Sequence, residues 1–470
     1  MTATGTTRAT IPLPHPKWRL PILGDLLSVD FAKPVQGLAK EARRHDGIFE
    51  QRIGGFPVKV VDGPDLIKGI NSDQFWEKNV GPTLHKLRSV AGDGLFTAYN
   101  DESNWRKAHD ILGPVFAKDA MVNYHPRIVD TVRELITAWD GHADNNSWVD
   151  VPTETNRLTI EIISRAGFGH SFSSLTEPAE NEFIAAVLRE LHYANRRTDS
   201  IPFYEKFLGG ARRAEHVADK KFIRAQAEQI IEGRRAQPRT GQIPDMLDAM
   251  LTYPDPVTGD LLDTNNIVNQ ILTFLVAGSE TSANAIAFAL HYLAVDRDVA
   301  DRARAEVDAA WPDKGFPDFQ FEQIAKLRYL RQVMEEALRL WPVAPGYFRQ
   351  AKTDTSLGGG QYLFREKDWV FVNLLAAHRH PIWGADAGQF NPDRFASESR
   401  REIPREIYKP FGVGARACIG RQFAQHEILI TLAAILHQYE LQPRPGYTLD
   451  VSETLTLKPA GLTLRLRKRQ

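Results

Sequence analysis

Cysteine is nearly missing from this chain, which has a single thiol, Cys418, among 470 residues. One cysteine excludes an intramolecular disulfide, and it also excludes a structural zinc site built from several thiolates. Chains of this kind are typical of reducing compartments, where structural disulfides are rare. We therefore expect a cytoplasmic protein.

An excess of charge of either sign is missing as well. Lys and Arg total 58 against 59 for Asp and Glu, a net charge of -1, whereas a nucleic-acid-binding protein normally has a clear basic excess. The N-terminal segment has no apolar signal region. The longest apolar-rich stretch, residues 266–294, contains Asn269, Gln270, Glu280 and Asn284, too many polar groups for a helix facing lipid. We expect no membrane span and interpret this stretch as a long, buried core helix.

The order of predicted elements indicates one interlocked domain. Residues 48–67 alternate and turn as hairpin strands do, residues 103–350 show mainly helical spacing, and strand patterns return at 358–374 and 455–469. No period of 20–50 residues repeats, so a solenoid is not expected. We predict a mainly α (α+β) fold in a single domain over residues 1–470, with residues 1–15 flexible.

The lone cysteine lies in FGVGARACIG, residues 411–420, for which three interpretations compete. Residues 412–417 fit a dinucleotide-binding G-x-G-x-x-A loop, but a charged, proline-bearing segment precedes them instead of a buried strand. A nucleophilic cysteine would have His426 eight residues on, but no third orienting group is evident.

The third interpretation is a metal thiolate. Glycines allow the backbone to approach a large planar ligand closely. A helix that begins near Cys418 would direct unpaired N–H groups and a partial positive charge toward the sulfur, which favours the metal-binding thiolate. Arg416 supplies a fixed charge suited to a carboxylate. One thiolate with a propionate-binding arginine describes haem better than a bare ion site.

The same stretch resembles the haem-binding signature F-x-x-G-x-R-x-C-x-G of the cytochrome P450 superfamily, the haem-thiolate monooxygenases. All five fixed places are occupied, by Phe411, Gly414, Arg416, Cys418 and Gly420. The resemblance implies a haem b cofactor with Cys418 as the axial iron ligand, Phe411 near the sulfur and Arg416 on a propionate. It also implies that Gly412 and Gly420 lie beside the porphyrin, and that the long helix lies over the haem with small sheets at the periphery.

A second motif, AGSETS at residues 277–282, interrupts the long apolar stretch. Taken alone it is compatible with a local polar irregularity, because Ser and Thr bond back to the carbonyl four residues earlier. It resembles the oxygen-binding motif [AG]-G-x-[DE]-T-[TS] of the same superfamily. By that resemblance Glu280 and Thr281 relay protons to dioxygen, and Ala277 lies against the haem.

A third motif, EALR, contains Glu336 and Arg339 three residues apart. Such a pair usually lies on a solvated helix surface. However, Glu336 shares a helical row with Val333 and Leu340, so burial is the alternative, and a buried carboxylate needs a partner. The pair resembles the superfamily's E-x-x-R scaffold pair, and FNPDRF then supplies Arg394 as its third member.

Further haem contacts are expected from the same resemblance. Trp105, in NWRKAHDIL, matches an aromatic residue placed against the propionates. Lys78 and Arg349 are two further propionate partners that the resemblance suggests.

Similarity extends over nearly the whole chain to the haem domains of bacterial fatty-acid hydroxylases that are fused to a diflavin reductase. The resemblance implies an apolar substrate pocket, whose expected lining is Phe96, Leu84, Leu87, Ala277, Ala344, Pro345 and Leu455. Those hydroxylases hold the substrate carboxylate with an Arg and a Tyr, where this chain has Phe56 and Val60. Either Lys59 or Arg52 holds the acid, or the substrate is not a free acid.

The sequence thus predicts a soluble monooxygenase that uses O2 to hydroxylate a lipophilic substrate, with a fatty acid or a derivative of one as the first candidate. Steroids, terpenoids and polyketides remain alternative substrates. No reductase domain follows in this sequence, so electrons would come from a diflavin reductase, flavodoxin or ferredoxin partner. A peroxide-driven peroxygenase and a non-enzymatic haem sensor are the rival functions, and the Glu280–Thr281 pair argues against both.

Overall fold

The computed structural model describes residues 11–177, 181–199, 210–239 and 243–469. The helices are α1 (Pro34–Ala42), α2 (Pro64–Ile70), α3 (Gly81–Ala91), α4 (Ser103–Leu112), α5 (Met121–Asp144), α6 (Val151–Phe168), α7 (Glu182–Asp199), α8 (Gly210–Ala236), α9 (Met246–Thr252), α10 (Thr264–Val295), α11 (Arg297–Ala310), α12 (Phe321–Ile324), α13 (Arg328–Leu340), α14 (Leu374–Ala377) and α15 (Arg421–Gln438). Helices dominate the described chain, so the predicted mainly helical fold is confirmed.

The strands are short and form small sheets. They are β1 (Ile48–Ile53), β2 (Phe56–Val61), β3 (Trp76–Asn79), β4 (Trp148–Asp150), β5 (Gly346–Ala351), β6 (Thr355–Leu357), β7 (Tyr362–Phe364), β8 (Trp369–Asn373), β9 (Tyr439–Pro443), β10 (Asp450–Glu453), β11 (Leu457–Ala460) and β12 (Thr463–Lys468). They pair in the orders β1-β2-β8-β5-β3, β4-β12-β9, β10-β11 and β6-β7.

The chain divides into two compact units, and each is made of several chain segments. The first contains the chain up to Asn79 together with Arg339–Phe390 and Ser397–Cys418. It holds the five-stranded sheet, in which only β2 and β8 run parallel. Phe49, Val60 and Phe371 of this sheet pack against α1 and α14 in one apolar cluster. This sheet and its loops carry the cysteine segment.

The second unit contains Val80–Leu338, Asn391–Ala396 and the chain from Ile419 on. Its longest helix is α10, whose N-cap Asp263 accepts a hydrogen bond from the Asn266 N–H at 2.8 Å. Among the described residues α10 alone is long and apolar enough to cross a membrane, but 78% of its most apolar window is buried. Such burial is typical of the core helix of a soluble protein, as the sequence predicts.

Strand pairing is the feature that the sequence pattern predicts least well. β1 and β2 form the expected hairpin, with Ile53 opposite Phe56. By contrast, β11 and β12 follow each other in the chain but pair with different strands: β11 with β10, and β12 with β4 and β9. Of the segment 1–15 that the sequence predicts to be flexible, residues 1–10 lie outside the described residues. Within the rest, the Pro14 carbonyl accepts the Glu50 N–H at 2.8 Å.

A pair of histidines joins two helices of the second unit. His125 on α5 and His426 on α15 lie 2.8 Å apart, Nδ1 to Nε2, and the other nitrogen of His125 bonds the Phe319 carbonyl at 2.8 Å. Because His125 Nε2 must donate to that carbonyl, its Nδ1 accepts from His426. Burial, reinforced by His125 and Arg331, lowers the pKa of His426, so the buried ring stays neutral near pH 7.

This pair predicts acid lability below the ordinary histidine pKa of about 6.5. As pH falls through that value, His426 takes up a proton in the unfolded chain but not in the folded one, so stability is lost with falling pH. We expect the melting temperature of wild type to fall between pH 7 and 5, measured by calorimetry, and His426→Gln to flatten that slope. His142→Gln, on α5 outside the pair, is the control. An unchanged slope in His426→Gln would contradict the assignment.

Candidate active site

The cysteine segment is a tight loop closed by its own backbone. The Cys418 N–H donates to the Phe411 carbonyl at 2.8 Å, and the Ala417 N–H donates to the Gly414 carbonyl at 3.0 Å. Gly412 and Gly414 have φ of 73° and 63°, which only glycine adopts readily. The Cys418 thiol is exposed and the Arg416 side chain is partly exposed. Helix α15 begins at Arg421, three residues after the thiol.

The close approach at Gly414 explains why this position needs glycine. A Cβ on Gly414 would lie 2.4 Å from Oδ2 of Asp73. Asp73 is in turn held by Arg349, whose Nη2 donates to Asp73 Oδ1 at 2.7 Å and to the Trp76 carbonyl at 2.9 Å. Arg349 is almost fully buried and lies opposite Lys78 across the β3–β5 pair. Its expected contact with the cofactor stays a prediction, since its observed partners all lie in residues 70–76.

Helix α10 opens in the middle of its length. It is buried at 266–276 and again at 282–291, whereas Ala277, Gly278, Glu280 and Thr281 are partly exposed. We call these four residues the accessible strip of α10. In an otherwise buried helix, such a strip is where solvent or a small molecule can reach the helix surface.

The polar side chains of this strip do not bond each other. The Thr281 hydroxyl donates to the Ala277 carbonyl at 2.7 Å, the i−4 bond that competes with the helix ladder. Glu280 accepts a long hydrogen bond, 3.4 Å, from Thr454. Within the described chain the predicted acid–alcohol pair is therefore adjacent in sequence but not directly hydrogen-bonded.

Trp105 lies in the first half of α4 with a basic companion that the sequence motif does not single out. His109 stacks on Trp105 at 5.0 Å between ring centroids. Arg106 instead binds Asp255 through two bonds of 2.8 and 2.7 Å. Spacing alone could have found His109, because residues i and i+4 share a helix face.

Glu336 and Arg339 are both fully buried. Glu336 accepts the Asn391 N–H at 2.8 Å, and Arg394 Nε lies 3.5 Å from the same carboxylate. Arg339 donates to the carbonyls of His378 and Ala387 at 2.7 Å each and to that of Gln389 at 3.0 Å. The surface-pair alternative for EALR is wrong, because burial forces both side chains into networks.

Comparison with known proteins decides the family. The family model described as cytochrome P450 matches residues 14–466. The chain belongs to the cytochrome P450 family. A solved structure described as a cytochrome P450 (CYP102L1) superposes with a TM-score of 0.94 and 69% identity, covering 98% of this chain and 100% of that one.

Two relatives of this P450 are much longer proteins. A bifunctional cytochrome P450/NADPH–P450 reductase of Bacillus cereus is 36% identical over 97% of this chain and 42% of its own length. A protein of the same description, numbered 1, from Bacillus subtilis is 37% identical over 98% of this chain and 43% of its own length. The chain thus spans about two fifths of the length of these curated relatives.

Membership of the family implies a haem cofactor, and the residues of this P450 fit one. The described chain contains no group of three or more His, Cys, Asp or Glu side chains able to hold a metal ion. A single exposed thiolate is instead the ligand set of a metal that brings its own macrocycle. The positive-φ glycines keep side chains off the loop that presents this thiol.

The expected pocket residues are divided between the two units of the P450. Ala344 and Pro345 belong to the first unit. The others belong to the second unit: Leu84, Leu87, Phe96, Ala277 and Leu455. Leu87 is fully buried, and the remaining four are partly exposed.

The residues that replace the carboxylate clamp are apolar in the structure as well. Phe56 is 80% exposed and Val60 is buried. Lys59 forms an ion pair with Asp368 at 2.9 Å, and Arg52 bonds Glu50 at 2.8 Å. Both alternative carboxylate-holding residues already have carboxylate partners.

The buried Glu336 network predicts a large stability effect. Glu336→Ala removes the acceptor of the Asn391 N–H and the carboxylate beside Arg394, so we expect a loss of about 3–5 kcal/mol, the cost of breaking a buried pair. Urea unfolding measures this loss. The control is Glu232→Ala, which removes an exposed partner of Arg235 and should cost about 0–1 kcal/mol. Equal losses for the two variants would refute the scaffold role.

Proposed function

We propose that this P450 is a haem-thiolate monooxygenase that hydroxylates a lipophilic substrate with O2 and electrons from a reductase. The observation that carries the proposal is the lone cysteine, exposed at the end of a hydrogen-bonded glycine loop that matches the family signature. Haem b, when bound, supplies the dioxygen activation that inserts one oxygen atom into the substrate. The remaining work belongs to residues of this chain.

In this proposal Cys418 would hold the haem iron through its thiolate, which would push electron density toward the metal. Phe411 would shield the sulfur, and Gly412 and Gly420 would leave room for the porphyrin. Arg416 would bind one propionate. Trp105, with His109 stacked on it, is placed to bind propionate as well, with Lys78 and Arg349 as further candidates. Glu336, Arg339 and Arg394 hold the scaffold and take no part in the chemistry.

The accessible strip of α10 would deliver protons and leave room for dioxygen. Ala277 leaves room because of its small side chain, while the Thr281 hydroxyl can exchange its Ala277 bond for a bond to dioxygen. Glu280, partly exposed, takes protons from solvent and delivers them to that hydroxyl. Direct peroxide use is disfavoured because such a reaction does not need this acid–alcohol pair.

The substrate class follows from the pocket and the missing clamp. We propose a fatty acid or an uncharged derivative, held mainly by apolar contacts with Phe96, Leu84, Leu87, Ala344, Pro345 and Leu455. The proposed electron donor is an NADPH-dependent reductase, fused or separate. The two relatives are described as bifunctional proteins that contain both a P450 and an NADPH–P450 reductase. Arg400, Arg401 and Arg405 are exposed and suit an acidic docking face. We place the protein in the cytoplasm.

The ligand assignment predicts a spectrum. The haem-loaded protein, reduced and exposed to carbon monoxide, should show the red-shifted Soret band of thiolate ligation, and Cys418→Ser should lose it. No second cysteine exists to supply the signature. Ala415→Ser, a change in the same exposed turn, is the control and should retain the band. A histidine-type spectrum in wild type would refute the proposed function.

The missing clamp predicts how the head group matters. A fatty acid, its amide and its alcohol of equal chain length should bind with Kd values within about tenfold, about 1.4 kcal/mol, measured by the haem spectral shift. Phe96→Ala should weaken all three together, because it removes apolar contact only. Lys59→Gln is the matched test of the alternative. Selective loss of acid binding in Lys59→Gln would show that a charged clamp exists after all.

A further inference from the structure

The loop between α3 and α4, residues 92–102, is fastened to the first turns of α10 by polar side chains. Oδ1 of Asp93 accepts hydrogen bonds from the side-chain amides of Asn266 at 3.0 Å and Asn269 at 2.7 Å. Its Oδ2 accepts from the amide of Asn104, on α4, at 2.7 Å. Burial acts to raise the pKa of the Asp93 carboxyl, but these amide donors lower it below its ordinary value, so the group is ionised near pH 7.

Gln270 holds the same loop at the residue before Phe96. Its Oε1 accepts the Leu95 backbone N–H at 3.0 Å, and its Nε2 donates to Oδ1 of Asn266 at 3.1 Å. Gln270 is fully buried. Because Asn266 also donates to Asp93, the bond to the loop backbone and the bonds to the loop carboxylate belong to one connected network.

The loop backbone lies directly on α10. A Cβ on Gly94 would lie 2.0 Å from Oγ1 of Thr273 and 2.8 Å from the Asn269 carbonyl oxygen, and a Cβ on Gly92 would lie 2.3 Å from Nδ2 of Asn269. Thr273 and Asn269 are buried and hydrogen-bonded, so neither can move aside cheaply. The two glycines therefore permit the close contact that the polar side chains hold.

The residue after Phe96 is held as well. The Thr97 hydroxyl donates to the Gly92 carbonyl at 2.8 Å, and Nη1 of Arg88 donates to the Thr97 carbonyl at 2.8 Å. Thr97 is fully buried, whereas Phe96 is partly exposed. Both neighbours of Phe96 are thus fixed, and its ring is the accessible part of a firmly held segment.

The helix that holds this loop also carries the accessible strip. Gln270 precedes Ala277, the first residue of the strip, by about 10 Å of helix rise. A loop bonded to Gln270 therefore has a set position relative to Thr281. Apolar contacts alone would bury such a loop, whereas hydrogen bonds also fix its direction because they depend on angle.

We propose that Asp93, Asn266, Asn269 and Gln270 determine which carbon of the substrate is hydroxylated, by holding Phe96 at a fixed place relative to the accessible strip of α10. We call these four positioning residues the loop anchor. They touch neither the substrate nor the reacting atoms and act only through Phe96. A fixed ring restricts the carbons that an extended chain presents to the strip, and a ring that shifts admits more of them. The inference rests on the proposed function, in which Phe96 lines the pocket.

The anchor is tested first without turnover. Gln270→Met keeps the side-chain length but removes the acceptor of the Leu95 N–H, whereas Gln270→Glu keeps that acceptor. Hydrogen–deuterium exchange of the haem-loaded full chain, measured by mass spectrometry on peptides covering residues 92–98, should be about tenfold faster in Gln270→Met. It should be near wild type in Gln270→Glu. Unchanged exchange in Gln270→Met would overturn the proposal.

Product regiochemistry tests what the anchor does. With myristic acid, an NADPH-dependent reductase and O2, Gln270→Met should lower the ratio of the main hydroxylated isomer to its neighbours about fivefold, or about 1 kcal/mol. Gln270→Glu should restore the ratio. Asp93→Asn acts at the other end of the anchor and should shift the ratio in the same direction, also where Gln270→Met does not fold. The control is Thr131→Val, which removes a buried hydroxyl bond of α5 and should leave the ratio unchanged.

A double variant separates positioning from general loosening of the fold. Because the anchor acts through Phe96, adding Gln270→Met to Phe96→Ala should change the product ratio no further than Phe96→Ala does alone. Independent effects would add instead. An additive result would overturn the proposal.

Two failures are distinguishable. Wild type without the thiolate spectrum or without O2-dependent product refutes the proposed function, and this inference with it. Wild type that hydroxylates normally, with the same product ratio in Gln270→Met as in Thr131→Val, overturns this inference alone and leaves the anchor as packing.

Discussion

The bond from the Cys418 N–H to the Phe411 carbonyl is the constraint on which the proposed chemistry depends. It closes the loop that holds the only thiol of the chain in an exposed position. The closure needs two residues at positive φ, and at one of them, Gly414, any side chain would collide with Asp73. Asp73 is held by the buried Arg349, so the loop depends on a network that begins in the sheet.

Helix α10 shows how a long buried helix accommodates polar groups. Many of its amide and hydroxyl side chains have a specific partner: Asn266 and Asn269 bond Asp93, and Thr273 and Ser279 bond carbonyls of the helix itself. Thr159 of α6 donates to the Ser279 carbonyl at 2.8 Å, and Asn284 donates to Thr456 at 3.1 Å. Satisfying these groups permits a buried helix with polar residues at its middle. Away from its ends, the helix is accessible at the strip that carries Thr281.

The buried carboxyl groups of this protein differ in their surroundings. Glu336 and Arg339 face backbone N–H and carbonyl groups, which hold loops and are costly to remove. Glu427 is 1% exposed, its Oε2 has no hydrogen-bond partner in the described chain, and burial raises the pKa of its carboxyl to about 8. Loss of solvent disfavours the ionised form of a carboxyl, whereas hydrogen-bond donors to the carboxylate favour it. This difference in environment separates residues of the same type.

Motif chemistry is predictable from the sequence because it is local. The spacing within residues 411–420 and 277–282, together with the long apolar pattern of α10, is enough to indicate the family, the haem ligand and the helix class. The hairpin of β1 and β2 follows from alternation and turn residues, both of which act over a few positions.

Tertiary structure alone decided the contacts between distant segments. β11 and β12 are consecutive in the sequence, but they do not pair with each other. β11 pairs with β10 and β12 with β9, because a strand pairs with the sheet edge that the fold places beside it. The burial of Glu336 and the bond that its carboxylate accepts from the Asn391 N–H likewise depend on an environment that no spacing rule contains. The sequence by itself determined the family and predicts which groups carry the chemistry. Packing determined their protonation and partners, since both depend on the solvent and neighbours that folding leaves around each group.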